Sequence, residues 1–237
     1  MTASHYWAVI PAAGVGARMK AGLPKQYLPL GGKTVLEHTL ERFFRHPQIQ
    51  GVVVAIAAGD PYWDKLTLQD RAKVWVTTGG AERCHSVLAA LQCLERIAGP
   101  NDWVLVHDAA RPCLRVQDLD RLITALSEHP VGGLLGRPVR DTMKRAGTGG
   151  TITETIDRRG LWHALTPQMF RLRPLTRAIE QALVSGRIVT DEAQAMEIAG
   201  LFPCLVEGHA DNIKITAPED LALAELYLRR QEQAACA

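Results

Sequence analysis

The sequence has 237 residues, of which 47% are hydrophobic and 22% are charged, as in an ordinary globular protein. Its 27 basic and 25 acidic side chains give a formal net charge of +2, which argues against a nucleic-acid partner. The sequence has no secretory leader pattern and no run approaching about 18 apolar residues, so we expect one cytoplasmic domain over 1–237 with no membrane segment.

The predicted elements alternate between strands and helices along the chain. Apolar runs predict strands at Tyr6–Pro11, Val52–Ala57 and Trp103–His107. Apolar residues at helical spacing predict helices at Thr34–His46, Glu82–Ile97, Val116–Glu128, Leu172–Val184 and Asp191–Ala199. A last helix is predicted to start at Thr216, with Glu219 completing a capping box. This order predicts an α/β, Rossmann-like fold whose mainly parallel sheet carries helices on both faces.

The alternation breaks between about residues 138 and 159. Two short, polar, β-prone segments, Asp141–Arg145 and Thr151–Ile156, flank a glycine-rich turn at Gly147–Gly150. Such a hairpin has too little apolar surface to be stable by itself. We therefore predict a protruding β-arm that leans on another surface, for which a second subunit is a candidate.

The cysteines and histidines do not indicate a metal or disulfide framework. There are five cysteines, an odd number, and no Cys-x-x-Cys pair, while the eight histidines lack metal-binding spacing. We therefore expect free thiols in a reducing compartment.

The segment after the first predicted strand, PAAGVGARM, is the strongest local signal in the chain. It follows the carboxyl end of a strand, where ligands bind open α/β sheets. Gly14 and Gly16 allow backbone N–H groups to approach a phosphate closely, and Arg18 and Lys25 add two cations. The segment therefore predicts a phosphate-binding loop.

Three other interpretations of this loop explain less of the sequence. A Walker A loop ends in Gly-Lys-Ser/Thr, which is absent here. A dinucleotide fingerprint needs a third glycine or alanine where Met19 stands, and its acid about 20 residues later would be Glu37, inside a predicted helix. A tight glycine turn without a ligand leaves both cations unexplained.

Segments along nearly the whole chain, from about residue 8 to 226, resemble the 2-C-methyl-D-erythritol 4-phosphate cytidylyltransferases of the non-mevalonate isoprenoid pathway. These segments are Pro11–Met19, Pro24–Leu28, Gly79–Val87, Val106–Pro112, Val139–Lys144, Leu165–Gln168, Thr190–Ala193 and Glu207–Thr216. The first loop alone indicates only the wider nucleotidyltransferase group. The whole set is specific to the cytidylyltransferase.

This resemblance implies transfer of CMP from CTP to 2-C-methyl-D-erythritol 4-phosphate, with Mg²⁺ as cofactor and release of pyrophosphate. Both reactants are anions, so the protein must neutralise charge and hold them in line. By resemblance, the catalytic cations around the α-phosphate are Arg18, Lys25 and Lys214. Asp108 is the implied Mg²⁺ ligand, and Asp211 is a weaker candidate for a metal contact or for positioning Lys214.

The resemblance also assigns the binding of both substrates. The implied nucleotide-binding residues are Pro11, Ala12, Ala13, Gly14, Gly16, Gly80, Arg83, Ser86, Asp108 and Ala109. Backbone groups of Ala12, Ala13 and Gly80 are expected to recognise the base, with the Ser86 hydroxyl near the nucleotide. The implied acceptor-binding residues are Asp108, Arg111, Thr142, Arg158 and Thr166. In this family the β-arm reaches into the partner's site, which implies a homodimer with shared active sites.

Several alternatives stay open at this point. A related enzyme acting on another polyol phosphate, such as ribitol 5-phosphate, differs in the acceptor-side residues. A nucleotide-binding regulatory module would bind CTP without releasing pyrophosphate. Lys214 also fits a solvated lysine at a strand end, Asp108 a helix cap, and Arg158 a surface charge. His107 is expected to be a strand residue with a satisfied hydrogen bond, because the reaction needs no general base.

Overall fold

The computed structural model describes residues 5–14 and 22–235, and seven of its strands form one central sheet. The strands are β1 (Tyr6–Pro11), β2 (Pro29–Leu30), β3 (Lys33–Thr34), β4 (Ile49–Ile56), β5 (Val74–Thr78), β6 (Trp103–Val106), β7 (Gly132–Pro138), β8 (Met143–Ala146), β9 (Ile152–Ile156), β10 (Trp162–Arg171) and β11 (Cys204–Glu207). The helices are α1 (Val35–Phe44), α2 (Arg83–Leu94), α3 (Val116–Leu126), α4 (Leu172–Val184), α5 (Glu192–Ile198) and α6 (Glu219–Ala235).

The sheet has the strand order β11-β7-β10-β6-β1-β4-β5. Every pairing in it is parallel except those of β10, which runs antiparallel to both β6 and β7. The predicted mainly parallel α/β sheet is therefore confirmed. Because β1, β4 and β6 run in the same direction, the loops that follow them meet at one edge of the sheet.

Successive side chains of β1 alternate between two hydrophobic layers, as a strand covered on both faces requires. Ala8 and Ile10 face the layer that contains α1 and α3, whereas Val9 faces the layer that contains α2, α4 and α5. All three residues are fully buried. A third, smaller cluster packs α6 against Ala110 and Ile215, beside the carboxyl edge of the sheet. The carboxyl edge of the sheet is therefore supported by three hydrophobic clusters, one on each face and one beside α6.

The predicted capping box at Thr216 is wrong. The last helix begins at Glu219, and the Thr216 hydroxyl donates to Asp220 Oδ2 at 2.9 Å instead of accepting from the helix. The same carboxylate oxygen accepts from the backbone N–H groups of Thr216 and Ala217, at 2.7 and 2.9 Å. Pro218 disfavours helical backbone in the residue before it, so the turn ahead of the helix closes through Asp220.

The predicted β-arm is present as the antiparallel hairpin of β8 and β9, in which Met143 pairs with Ile156. The two strands form a sheet of their own, separate from the central one. The side chains of Met143 and Ile152 are exposed, 36% and 61% respectively. An apolar surface of this kind on a two-stranded hairpin is typical of a segment that packs against another chain.

Two further properties concern the described residues as a whole. Cys84, Cys93, Cys113 and Cys204 are free thiols. None of the helices in the described ranges combines the length and the hydropathy that a bilayer span requires.

Candidate active site

A cleft lies at the carboxyl edge of the sheet, beside the ends of β1 and β6, and the described residues around it enclose about 180 Å³. The predicted residues that line it are Pro11, Ala12, Ala13, Gly14, Lys25, Gly80, Arg83, Ser86, Asp108, Ala109 and Lys214. Two other predicted residues, Gly16 and Arg18, lie outside the described ranges, which end at Gly14 and begin again at Gly22. The structure therefore brings both predicted lysines and most of the nucleotide residues together.

A buried glutamine anchors the described start of the first loop, Ala12–Gly14. Gln26 Nε2 donates to the carbonyl oxygens of Ala12 and Gly14 at 2.6 and 3.1 Å, and Gln26 is only 4% exposed. The Ala12 N–H donates to Ala55 O at 2.7 Å, so both backbone groups of Ala12 are engaged by the fold. Among the predicted base-contacting alanines, Ala13 is the one whose backbone has no hydrogen bond to the described residues.

The second loop packs tightly against the first. A Cβ atom on Gly79 would lie 2.6 Å from Ala13 Cβ and 2.7 Å from Ser86 Oγ, so only glycine allows this approach. Ser86 is buried, and its hydroxyl oxygen accepts from the Gly80 N–H at 3.1 Å. Ser86 therefore fixes the shape of the second loop beside the cleft.

Asp108 is the electrostatic centre of the cleft. Its Oδ1 accepts from Arg83 Nε at 3.0 Å, and its Oδ2 accepts from Arg111 Nε at 3.2 Å and from Lys214 Nζ at 2.9 Å. Burial acts to raise the pKa of Asp108, but the charges of Arg83, Lys214 and Arg111 outweigh it and hold the pKa well below its usual range. The carboxylate is therefore ionised at any working pH, and it orients Lys214 toward the cleft.

Glu192, at the start of α5, anchors this cation cluster. Its two carboxylate oxygens accept from Arg83 Nη1 and Nη2 at 2.6 and 3.0 Å, and its side chain is only 2% exposed. All three guanidinium nitrogens of Arg83 thus bond to Glu192 or Asp108, so Arg83 bridges two buried carboxylates. Neither Glu192 nor Gln26 was predicted as a site residue, although both stand in segments that carry the resemblance.

We expect Glu192→Gln to lower the free energy of unfolding by about 3 kcal/mol, because it removes a buried carboxylate that pairs with the partly buried guanidinium of Arg83. Urea denaturation followed by circular dichroism measures this change. The matched control is Glu197→Gln on the same helix, whose side chain is exposed and which should unfold as the parent does. Equal stability of the two variants would show that the Arg83–Glu192 pair contributes little.

Lys25 and Lys214 reach the cleft from opposite ends of the sequence. Lys25 Nζ donates to Ile215 O at 3.0 Å, across a separation of 190 positions. Ile215 is in turn fixed by its N–H, which donates to Ala110 O at 2.9 Å. The segment that carries Lys214 therefore also positions Lys25, so the two ammonium groups border the same space.

His107 and Thr166 form a buried pair behind Asp108. His107 Nε2 lies 3.0 Å from Arg111 O, and a carbonyl only accepts, so Nε2 carries the ring proton. Nδ1 then accepts from the Thr166 hydroxyl at 2.9 Å, while Thr166 Oγ1 accepts from the Asp108 N–H at 3.1 Å. Burial lowers the pKa of His107 to about 4, so the ring is neutral. The pair orients the backbone at Asp108.

The predicted acceptor residues fall into two groups. Arg111 and Thr166 contact Asp108 directly. Thr142 and Arg158 lie in the exposed β-arm, where Arg158 donates to Arg140 O, and neither residue lines the cleft of its own chain. Within one chain, the described site thus contains only part of the predicted acceptor set.

The structure does not bring Asp211 to the cleft. Its Oδ2 accepts from Arg115 Nε and Nη2 at 2.8 and 2.6 Å and from Gln231 Nε2 at 2.9 Å. No group of three or more His, Cys, Asp or Glu side chains that could surround a metal occurs among the described residues. Asp108 alone fits the way Mg²⁺ binds at triphosphate sites, where one or two carboxylates act together with substrate phosphates.

Comparison with known proteins shows which family the chain resembles in sequence and in structure. The sequence model of the 2-C-methyl-D-erythritol 4-phosphate cytidylyltransferases matches residues 6–230. Proteins of that name from Vibrio parahaemolyticus and Pseudomonas putida are 56% and 57% identical over 228 and 221 residues, which are 96% and 93% of this chain and 97% and 94% of the relatives. The crystal structure of the Francisella tularensis protein superposes with a TM-score of 0.81 at 36% identity, covering 94% of this chain and 100% of that one.

Proposed function

The chain belongs to the 2-C-methyl-D-erythritol 4-phosphate cytidylyltransferase family, and we propose that the cleft around Asp108 is where it transfers CMP from CTP to 2-C-methyl-D-erythritol 4-phosphate. The observation that supports this assignment most is that Lys25 and Lys214 line one cleft together with the buried Asp108, which is paired with Lys214. A triphosphate needs such a concentration of positive charge beside its reacting phosphorus.

The reaction exchanges one phosphorus–oxygen bond for another. A phosphate oxygen of the acceptor forms a bond to the α-phosphorus of CTP, and the bond from the α-phosphorus to the bridging oxygen breaks. Pyrophosphate leaves with that electron pair. No proton has to be moved by the protein, which agrees with a neutral His107 whose ring nitrogens are both engaged. Catalysis then rests on alignment and charge neutralisation.

The described residues have separate proposed roles in this reaction. Lys25 and Lys214 would stabilise the negative charge that grows on the α-phosphate oxygens during attack. Ala13 and the Gly79–Gly80 turn offer backbone groups to the cytidine, in a space shaped by Gln26 and Ser86. Arg18, by resemblance, adds a third cation to the same phosphate.

We also propose that Asp108 holds Mg²⁺ against the triphosphate. The bound ion would supply charge neutralisation on the phosphate oxygens. In the described structure both Asp108 oxygens accept from cations, so Lys214 and Arg111 would have to yield part of these contacts to the ion. A carboxylate that is ionised at every working pH is suited to this exchange.

The acceptor site is proposed to be completed by a second copy of the chain. Arg111 and Thr166 lie beside Asp108, whereas Thr142 and Arg158 project on the exposed arm. A homodimer in which each arm enters the partner's cleft would bring the two groups together. We also propose a cytoplasmic location, which agrees with the free thiols of the described cysteines.

The test of the substrates is pyrophosphate release by the purified protein with Mg²⁺, 2-C-methyl-D-erythritol 4-phosphate and each nucleoside triphosphate in turn. Release with CTP, and only when the acceptor is present, is the expected result. Release with ribitol 5-phosphate in place of the methylerythritol substrate would reassign the acceptor. CTP binding without pyrophosphate release would instead favour a regulatory module.

Mixing two inactive variants tests the shared site. In a hybrid of Arg158→Ala and Lys25→Ala chains, one cleft would combine an intact Lys25 with the intact arm of its partner. We expect each variant alone to be nearly inactive and the mixture, after subunit exchange, to regain a clear fraction of the parent activity. Mass spectrometry must first verify that hybrids form. Verified hybrids that stay inactive would overturn the exchange of arms between subunits.

A further inference from the structure

A second cavity, of about 660 Å³, lies at the carboxyl ends of β7 and β11, apart from the proposed active site. Its walls come from α3, the end of β7, the loop after β11 and α6. They include the side chains of Arg115, Arg121, Arg137, Tyr227 and Arg230, and we call this space the arginine cavity. Its volume is within the range of about 300–1,000 Å³ that small-molecule sites occupy.

The charges around the arginine cavity do not balance. Four arginines line it, against two carboxylates, those of Glu207 and Asp211. Arg115 is paired with Asp211, and Arg121 forms an ion pair with the buried Asp118 at 3.4 Å and donates to Glu207 O at 2.7 Å. The remaining two arginines have a different environment.

Arg137 and Arg230 carry the surplus charge. Neither side chain has a hydrogen bond or ion pair with the residues in the described ranges. Arg137 is half-buried at the end of β7, and Arg230 is exposed on α6; both line the cavity. Two guanidinium groups that have no partner among the described residues and border one space repel each other, and an anion bound to both would replace that repulsion with charge-assisted contacts.

From this arrangement we propose that the arginine cavity binds a small phosphorylated molecule through Arg137 and Arg230. A phosphate monoester carries close to two negative charges at neutral pH, one for each of these two guanidinium groups, whereas one carboxylate carries only one. Guanidinium groups bind phosphate oxygens in pairs, with defined geometry. Tyr227 also lines the cavity, and its ring offers an apolar surface for the rest of the ligand.

The arginine cavity shares one loop with the proposed active site. On the cavity side, Arg115 holds Asp211 and the buried Asp118 holds His209, whose Nδ1 lies 2.7 Å from Asp118 Oδ1. On the cleft side, Arg111 Nη1 donates to Asn212 O at 2.8 Å, and Lys214 follows two positions later. An anion that attracts Arg115 away from Asp211 would loosen the segment that presents Lys214. We expect occupancy to raise the KM for CTP, an effect that depends on the proposed function, whereas the binding itself does not.

The experiment is a calorimetric titration of the full chain with inorganic phosphate at low ionic strength. CTP and Mg²⁺ are present at saturation without acceptor, so that the nucleotide cleft is filled and no turnover occurs. We expect one saturable site per chain with a Kd at or below about 1 mM. Sodium acetate, titrated in the same way, should bind at least tenfold more weakly.

Two variants locate the site. Arg137→Gln/Arg230→Gln should weaken phosphate binding at least tenfold. Arg229→Gln is the matched control, because Arg229 neighbours Arg230 on α6 but is paired with Glu225, and it should bind within twofold of the parent. Thermal melts check that each variant folds, and Arg230→Gln alone gives the same test if the double variant does not.

Three results would each overturn the proposal: no saturable binding of phosphate, equal affinity in the double variant and the control, or acetate binding as tightly as phosphate. If the partner chain fills the arginine cavity in a dimer, phosphate will show no saturable binding, and the proposal is overturned. Because the titration involves no reaction, a failure here is separate from any failure to release pyrophosphate.

Discussion

Replacing Lys25 by alanine is expected to lower kcat by about 100-fold or more, the loss typical of removing one preorganised donor from a developing oxyanion. The structure places Lys25 Nζ at the cleft, supported by Ile215 O at 3.0 Å. A side chain held in this way stabilises the transition state without having to reorganise during the reaction. Steady-state pyrophosphate release at saturating CTP and acceptor measures the change.

Two further variants show whether the loss reflects charge at this position. Lys25→Arg keeps the charge but moves it, so it should recover part of the activity. Lys73→Ala removes a lysine that forms an ion pair with Asp70 at 2.9 Å, outside the cleft, and should leave kcat unchanged. A Lys25→Ala enzyme with the parent kcat would refute the catalytic assignment.

Asp108→Asn is expected to have the broadest effect of any single substitution, because it removes both the proposed metal ligand and the counter-charge of three cations. Leaving a buried cation cluster without its carboxylate costs about 3–5 kcal/mol of unfolding free energy. Activity should fall at least about 100-fold, and the Mg²⁺ concentration needed for half-maximal rate should rise. Denaturant unfolding and Mg²⁺ titrations of the rate measure the two effects separately.

The control for this substitution is Asp64→Asn, at a side chain that is 93% exposed, which should change neither quantity. The Mg²⁺ titration carries the metal assignment. If Asp108→Asn is less stable and slower but responds to Mg²⁺ as the parent does, the carboxylate organises the cations and does not hold the ion.

The elements that could be predicted are those whose own residues show a continuous apolar run or a helical period. The helix predicted at Leu172–Val184 has those bounds in the structure, and the first strand is Tyr6–Pro11 as expected. β7, β10 and β11 were not predicted. β7 is glycine-rich because the neighbouring strands approach it closely: a Cβ atom on Gly133 would lie 2.1 Å from Cys204 O. The composition of β7 is explained by the neighbouring strands, so its own residues do not show a strand pattern.

The site residues divide in the same way. Lys25 was predicted because it follows the glycine-rich loop, and the family resemblance added Asp108 and Lys214. Glu192 was not, since its role depends on Arg83, which stands 109 positions earlier, and no local pattern shows that pairing. Asp211 was a weaker candidate from the same resemblance, yet Arg115 holds it outside the cleft. The sequence names candidates, whereas the fold decides which of them meet.

The contact between Lys25 and Ile215 also has a consequence for how the protein matures. Ribosomes add about 5–20 residues per second, so the first loop leaves the ribosome roughly 10–40 seconds before the segment that supports it. Late in that interval the nascent chain has Lys25 and Asp108, but it lacks Lys214 and the carbonyl that positions Lys25. From the proposed roles of the two lysines, we expect no activity from a chain that has not been synthesised past residue 215.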